Sequence, residues 1–241
     1  GTYRIEDDNE AAQSVAAAIN VGYRHIDTAM IYGNEEGVGK GIKKSGIKRS
    51  EIFLTTKIWN DDLRKGRIRE AMKESLSRLD TEYVDLVLVH WPTGDYQTYW
   101  KSFEELVSDG LVKNIGVSNF TIEMLEKLLS SAEIIPVTNQ VELHPRLTQK
   151  PLLEFCRNAG ITLTAWSGFM VGKLLSNTEL VRLGEKYRKS AAGIIQRWNF
   201  QNGVITIPKS TNPARMKENA DIFDFEISSE DMKLIDSLNT D

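Results

Sequence analysis

Two hydrophobic periods alternate along this chain. Segments with apolar residues three and four apart, such as Ala12, Val15, Ala16 and Ile19, predict amphipathic helices, and short runs rich in β-branched residues between them predict strands. The first helix is predicted over AAQSVAAAI, with Asp7 and Asp8 ahead of it and Gly22 closing the segment. The strand YRHIDTA follows, then a helix from about Asn34 through EEGVGKGIKK to Gly46. IFLTTKI leads to IREAMKESLSRL, where Ile68, Met72, Leu76 and Leu79 form one apolar stripe. VDLVLVH leads to a helix near WKSFEELVS, ended by Asp109-Gly110. VKNIGVS pairs with TIEMLEKLL, VTNQVEL with LLEFCRNAG, and TLTAW with the two helices NTELVRLGEKYR and SAAGIIQRWNFQ. VITIPK precedes PARMKENA, with Pro213 near the helix start, and SSEDMKLIDSLN opens on serine with acidic residues in its first turn.

About seven strand–helix units thus succeed one another without a linker rich in Pro, Gly or Ser. This predicts a single (β/α)8 barrel domain over residues 1–241, built from right-handed crossovers. Gly1-Thr2-Tyr3-Arg4 reads as the tail of an eighth strand. A doubly wound sheet is the alternative, and it wants a glycine-rich turn after an early strand. Gly37-Val38-Gly39-Lys40-Gly41 is the candidate, but it falls inside a helical pattern and is a weak dinucleotide fingerprint.

With 241 residues, 41% of them hydrophobic, the chain can bury a substantial core. The net charge of −4 argues against wholesale binding of nucleic acid or an anionic membrane, and no apolar run reaches the roughly 18 residues of a membrane span. One cysteine, Cys156, forms no internal disulfide, and GTYRIEDD has neither a basic nor an apolar leader region. A cytoplasmic monomer is the expectation. His25, His90 and His144 are scattered without a His-x-His pair, so no metal site is expected.

Candidate chemistry gathers at predicted strand ends. Asp27 lies where one strand gives way to a loop holding Tyr32, Lys57 closes a second strand and His90 a third. In a parallel barrel such ends open onto one face. A free tyrosine, with a pKa of roughly 10, is a poor proton donor near neutrality. An ammonium beside the phenol would lower that value, a carboxylate beside the ammonium would keep it charged, and His90 could orient a carbonyl. Simpler readings exist for each: Asp27 as a helix cap, Tyr32 as a loop aromatic, Lys57 as a solvated strand end or a Schiff-base lysine, His90 as a structural histidine. Lys209, Ser210 and Arg215 put two cations and a hydroxyl around the last strand's end and the next helix's start, where an anion is welcome. Trp100 and Trp198, on helices, read as core.

GYRHIDTAMIYGNE, TTKIWN, VDLVLVHWP, NIGVSNF, NQVELHP, ITIPKS and NPARMKEN are similar, in order and spacing, to signature stretches of the aldo-keto reductases. The resemblance implies NADPH-dependent reduction of small or medium aldehydes and ketones on a (β/α)8 barrel, with Asp27, Tyr32, Lys57 and His90 as the catalytic tetrad. It further implies that Thr2, Asp27 and Ser167 belong to the cofactor site, that Ser118, Asn119 and Gln140 hold the nicotinamide carboxamide, and that Trp166 stacks on its ring. Lys209, Ser210 and Arg215 would take the 2′-phosphate of NADP, and Glu218 and Asn219 the adenine. Tyr3, Trp59, His90 and Trp91 match positions lining the substrate pocket. Tryptophan at 166 suggests the branch with microbial diketogluconate reductases and prostaglandin F synthases. Ser167-Gly168-Phe169 stands where the family commonly has Ser-Pro-Leu. An N-terminal hairpin and the start of the first strand precede the position of Gly1 in that family. Some relatives bind cofactor with little turnover, so a redox sensor or structural protein is the alternative function.

Overall fold

A computed structural model of the chain describes residues 1–240; Asp241, the last residue of the expected domain, lies outside them. Internal packing divides the chain into two units, Gly1–Asn139 with Lys209–Pro213, and Gln140–Pro208 with the stretch from Ala214 onward.

The first unit runs α1 (Asp8–Asn20), β1 (His25–Asp27), α2 (Glu35–Lys44), β2 (Phe53–Ile58), α3 (Asn60–Lys65), α4 (Ile68–Leu79), β3 (Leu86–Val89), α5 (Tyr96–Ser108), β4 (Ile115–Ser118) and α6 (Ile122–Leu129). The strands pair in parallel and in chain order, with Ile26 opposite Leu54, Lys57 opposite Leu88, and Val89 opposite Val117. Leu54, Val87, Leu88, Val89, Ile115 and Val117 are fully buried, as expected of parallel strands covered on both faces. Side chains cap the helix starts: the Asp7 carboxylate accepts from Glu10 N at 2.8 Å, and Thr121 caps α6 in the same way.

The glycines of α2 turn out to be packing devices. A Cβ at Gly37 would strike the backbone of Asp8, one at Gly39 the backbone of Leu79, and one at Gly41 the backbone of Ala12. Their absence lets α2 lie directly on α1 and α4, which explains a glycine-rich run inside a helix without any nucleotide.

At the strand starts Asp85 organises a charged cluster. Its carboxylate accepts from Leu54 N at 3.1 Å, Lys113 Nζ at 2.9 Å and Arg49 Nη2 at 2.8 Å. Burial pushes this carboxyl up, but the Leu54 N–H and the two cations hold it below its usual range. Arg49 and Lys113 also cover the Tyr83 ring, 4.3 and 4.1 Å from its centroid.

The second unit contains most of β5 (Thr138–Glu142), then α7 (Lys150–Asn158), β6 (Thr162–Trp166), α8 (Thr178–Tyr187), α9 (Ala191–Gln201) and β7 (Ile205–Thr206); α10 (Pro213–Ala220) and α11 (Ser229–Asp236) follow. β6 pairs with β7 in parallel, Thr164 opposite Ile205. Trp198 is 2% exposed and its indole N–H donates to Asp236 at 2.9 Å, so it is core. Trp100, in the first unit, is buried likewise, with its N–H on the Ile134 carbonyl.

Some expectations change. Tyr3 and Arg4 form a turn closed by Ile5 N on Thr2 O at 3.2 Å, and Thr2 N donates to Asp27 O of β1 at 3.0 Å. α3 was not foreseen, because NDDLRK carries one apolar residue, Leu63, and shows no stripe. α5 starts earlier than its apolar core suggests, since the Asp95 side chain caps the amide of Thr98. Among the described residues no helix is long and apolar enough to cross a membrane.

Candidate active site

Three neighbouring parallel strands deliver the polar residues to one end. β1 finishes at Asp27, and Thr28 N still donates to Thr55 O at 2.9 Å before the chain leaves the sheet. A 3-10 turn, Met30–Tyr32, closed by left-handed Gly33 at φ 69°, presents Tyr32. β2 carries Lys57 one residue from its end, and His90 follows β3 with its N–H on Ile58 O at 3.2 Å.

Lys57 is 1% exposed and its ammonium donates to Asp27 Oδ1 at 2.7 Å, to the carbonyl of Thr28 at 2.8 Å and to the Tyr32 hydroxyl at 3.3 Å. Burial would strip its proton, but Asp27 and then Tyr32 more than compensate, so its pKa is raised. Tyr32 departs from the simple expectation of an acidified phenol. Burial lifts its pKa and the Asp27 carboxylate adds to the rise, while Lys57 opposes both without cancelling them. The Lys57 charge acts strongly on the phenol, but burial outweighs it. The phenol is therefore firmly protonated.

His90 is 8% exposed, and its pKa is lowered to about 3, first by burial and then by Lys57. Its ring is neutral at ordinary pH, and Nδ1 is buried without a hydrogen-bond partner. The imidazole meets the Tyr32 ring edge-on at 5.7 Å and the Trp59 ring at 5.0 Å. Tyr3, 58% exposed, stands 5.1 Å from the Tyr32 ring, and Trp91 is 41% exposed. The backbone N–H of Trp59 donates to Met30 Sδ at 3.1 Å, joining the two loops that carry these aromatics. A protonated phenol, a neutral imidazole and apolar rings suit a small polarised group such as a carbonyl.

Of the remaining residues singled out by resemblance, Thr2, Ser118, Asn119, Lys209 and Ser210 lie in this unit. Thr2 is buried at β1. Asn119 is left-handed, φ 65°, and its amide donates to His90 O at 3.1 Å and Ser118 Oγ at 3.0 Å. Ser210 Oγ accepts from Asn212 N at 3.1 Å, closing the turn that follows Lys209. The others belong to the second unit. There Gln140 is buried in β5, and Trp166 ends β6 with its carbonyl accepting from Leu143 N. Ser167, Met170 and Val171 are all left-handed, at φ 58°, 47° and 55°, and Arg215, Glu218 and Asn219 ride on α10. Sequence reasoning missed Thr28 and Asn34, whose only signal was a polar character inside the TAMIYGNE stretch.

The aldo/keto reductase family model matches residues 1–240. The chain is 54% identical over 242 residues to the glyoxal reductase of Bacillus subtilis (strain 168), spanning 100% of this chain and 88% of that protein. Among solved structures, an aldo/keto reductase from Brucella melitensis superposes with a TM-score of 0.92 at 48% identity, over 97% of this chain and 91% of that one. A Bombyx mori aldo-keto reductase solved in complex with NADP gives a TM-score of 0.92 at 38% identity, over 98% and 85% respectively.

Proposed function

Because this chain belongs to the aldo/keto reductase family and shares the (β/α)8 fold of its solved members, we propose that it reduces small and medium aldehydes and ketones with Tyr32 as the proton donor. It is an NADP-dependent carbonyl oxidoreductase. The observation that carries the mechanistic reading is the buried Lys57 ammonium touching both Asp27 and Tyr32, with neutral His90 alongside.

The residues present fit a nicotinamide dinucleotide. His90 Nδ1 is buried without a hydrogen-bond partner, and the hydroxyl and amide of Ser118 and Asn119 stand at the adjoining strand end. Their donor and acceptor groups suit a carboxamide. Ser118, Asn119 and Gln140 would hold that group, Trp166 would stack on the ring, and Thr2, Asp27 and Ser167 would line its approach. By the resemblance, Lys209, Ser210 and Arg215 would take the 2′-phosphate, and Glu218 and Asn219 the adenine. Bound NADPH supplies the hydride.

The chain's own residues then manage the oxygen. Neutral His90 and the Tyr32 hydroxyl hold the substrate carbonyl oxygen, with Tyr3, Trp59 and Trp91 as its walls. Tyr32 gives its proton as negative charge develops there, and Lys57, kept charged by Asp27, stabilises the phenolate left behind. In the oxidative direction the phenolate takes the proton back. Purified protein with NADPH and a panel of aldehydes, followed at the nicotinamide absorbance band, tests the reading: steady loss of absorbance is expected. Binding without turnover across the panel would overturn it.

A further inference from the structure

Thr28 and Asn34, both 0% exposed, bracket the segment that presents Tyr32. The Thr28 carbonyl is the Lys57 ammonium's second ligand at 2.8 Å, its N–H is on Thr55 O, and its hydroxyl donates to Asn34 Oδ1 at 2.9 Å. Asn34 Nδ2 donates to the carbonyls of Thr2 at 3.0 Å and Ile5 at 2.8 Å, which fixes the orientation of the amide. The Thr2 hydroxyl also reaches Oδ1 at 3.5 Å. One buried amide thus ties together the turn bearing Tyr3 and the two ends of the segment bearing Tyr32.

We propose that Thr28 and Asn34 are positioning residues of the proton relay, setting the Lys57 to Tyr32 distance through the Thr28 carbonyl; this rests on the reductase reading above. Free to turn, that carbonyl would leave the ammonium with two partners of unequal pull. The carboxylate attracts it far more than a phenol does, so Lys57 would settle toward Asp27 and away from Tyr32. The phenolate formed in the reaction would lose its stabilising cation. Valine at 28 keeps the side-chain volume but leaves Asn34 Oδ1 without its Thr28 donor, so the stability of each variant is read beside its rate.

The test uses Thr28→Val, Thr28→Ser and Asn34→Ala in steady-state assays with NADPH and a small aldehyde, beside thermal unfolding of each. Thr28→Val should lower kcat about tenfold with KM nearly unchanged, because a displaced catalytic group costs rate rather than binding. The alkaline limb of its kcat–pH profile should move up, as Lys57 ceases to oppose the rise in the Tyr32 pKa. Thr28→Ser should restore both, and Asn34→Ala should lower kcat and also raise KM through Tyr3. The Thr28→Val, Asn34→Ala double variant should be no slower than Asn34→Ala alone. Wild-type kcat and pH profile in folded Thr28→Val, or equal impairment in Thr28→Ser, would overturn the proposal. If Asn34→Ala does not fold, the Thr28 pair decides. If wild type shows no turnover the reductase reading fails, and ultraviolet titration of the phenol, blanked against Tyr32→Phe, still reads the coupling: an unmoved titration in Thr28→Val refutes the positioning role.

Discussion

Replacing Asp27 by Asn removes a charge without changing shape, and the structure sets the cost. Lys57 and Asp27 side chains are 1% and 3% exposed and 2.7 Å apart, so the variant keeps an ammonium in a dry site with neutral acceptors only. Breaking a buried pair in this way typically costs about 3–5 kcal/mol. Shedding the proton instead sets a ceiling of similar size. From an ordinary lysine value of 10.5 down to pH 7, at about 1.4 kcal/mol per unit, deprotonation costs about 5 kcal/mol. The two routes predict different pH behaviour from wild type. In wild type the Lys57 pKa is raised, so its contribution is complete below 10.5 and is lost only as pH rises through the higher folded value. In Asp27→Asn the folded value falls, the unfolded chain binds the extra proton, and stability climbs with pH by up to about 1.4 kcal/mol per unit between 7 and 10. Equilibrium urea unfolding of both proteins across that range measures the gap. A gap under about 1 kcal/mol at pH 7, or a large gap that does not narrow with pH, would refute the account of the buried ammonium.

Tyr32→Phe should cut kcat by about 100-fold or more while leaving NADPH affinity, read by fluorescence titration, almost unchanged; full activity would overturn the donor assignment. His90, lowered to about 3, should show no imidazole titration near 6.5 by NMR. Because the unfolded chain takes that proton near 6.5 and the folded one does not, stability should fall as pH drops from 6.5 toward 3, and His90→Gln should flatten this acid slope by about 1.4 kcal/mol per unit. Lys209→Ala combined with Arg215→Ala should weaken NADPH much more than NADH in binding titrations; equal losses would remove the phosphate assignment.

The alternation of strands and helices was legible because β2, β3 and β6 are short runs rich in apolar and β-branched residues and most helices carry a stripe or a cap. β2 and β3, with six and four residues, announce themselves, and VITIPK marked β7, whereas the polar α3 falls below what periodicity resolves. Asp27, Tyr32, Lys57 and His90 could be placed at strand ends from the same pattern. What could not be read was the balance of forces on Tyr32, which sets burial against the Lys57 charge, with Asp27 adding to the rise. Nor could the Thr28 carbonyl or the Asn34 amide be read, since a backbone oxygen has no letter of its own and asparagine before a helix looks like any cap. The α2 glycines show the converse: their meaning lies in which backbone faces them, a fact of packing that no local spacing records.

Asp85, Arg49 and Lys113 bind the strands together where they begin, while Lys57 and His90, the groups proposed for the reaction, stand where the same strands finish. On that proposal, durability and reactivity are written into opposite margins of one sheet. Hardening the first margin, by better ion pairs or tighter turns, leaves the second untouched, so this scaffold can be toughened for heat or solvent without retuning what it does to its substrate.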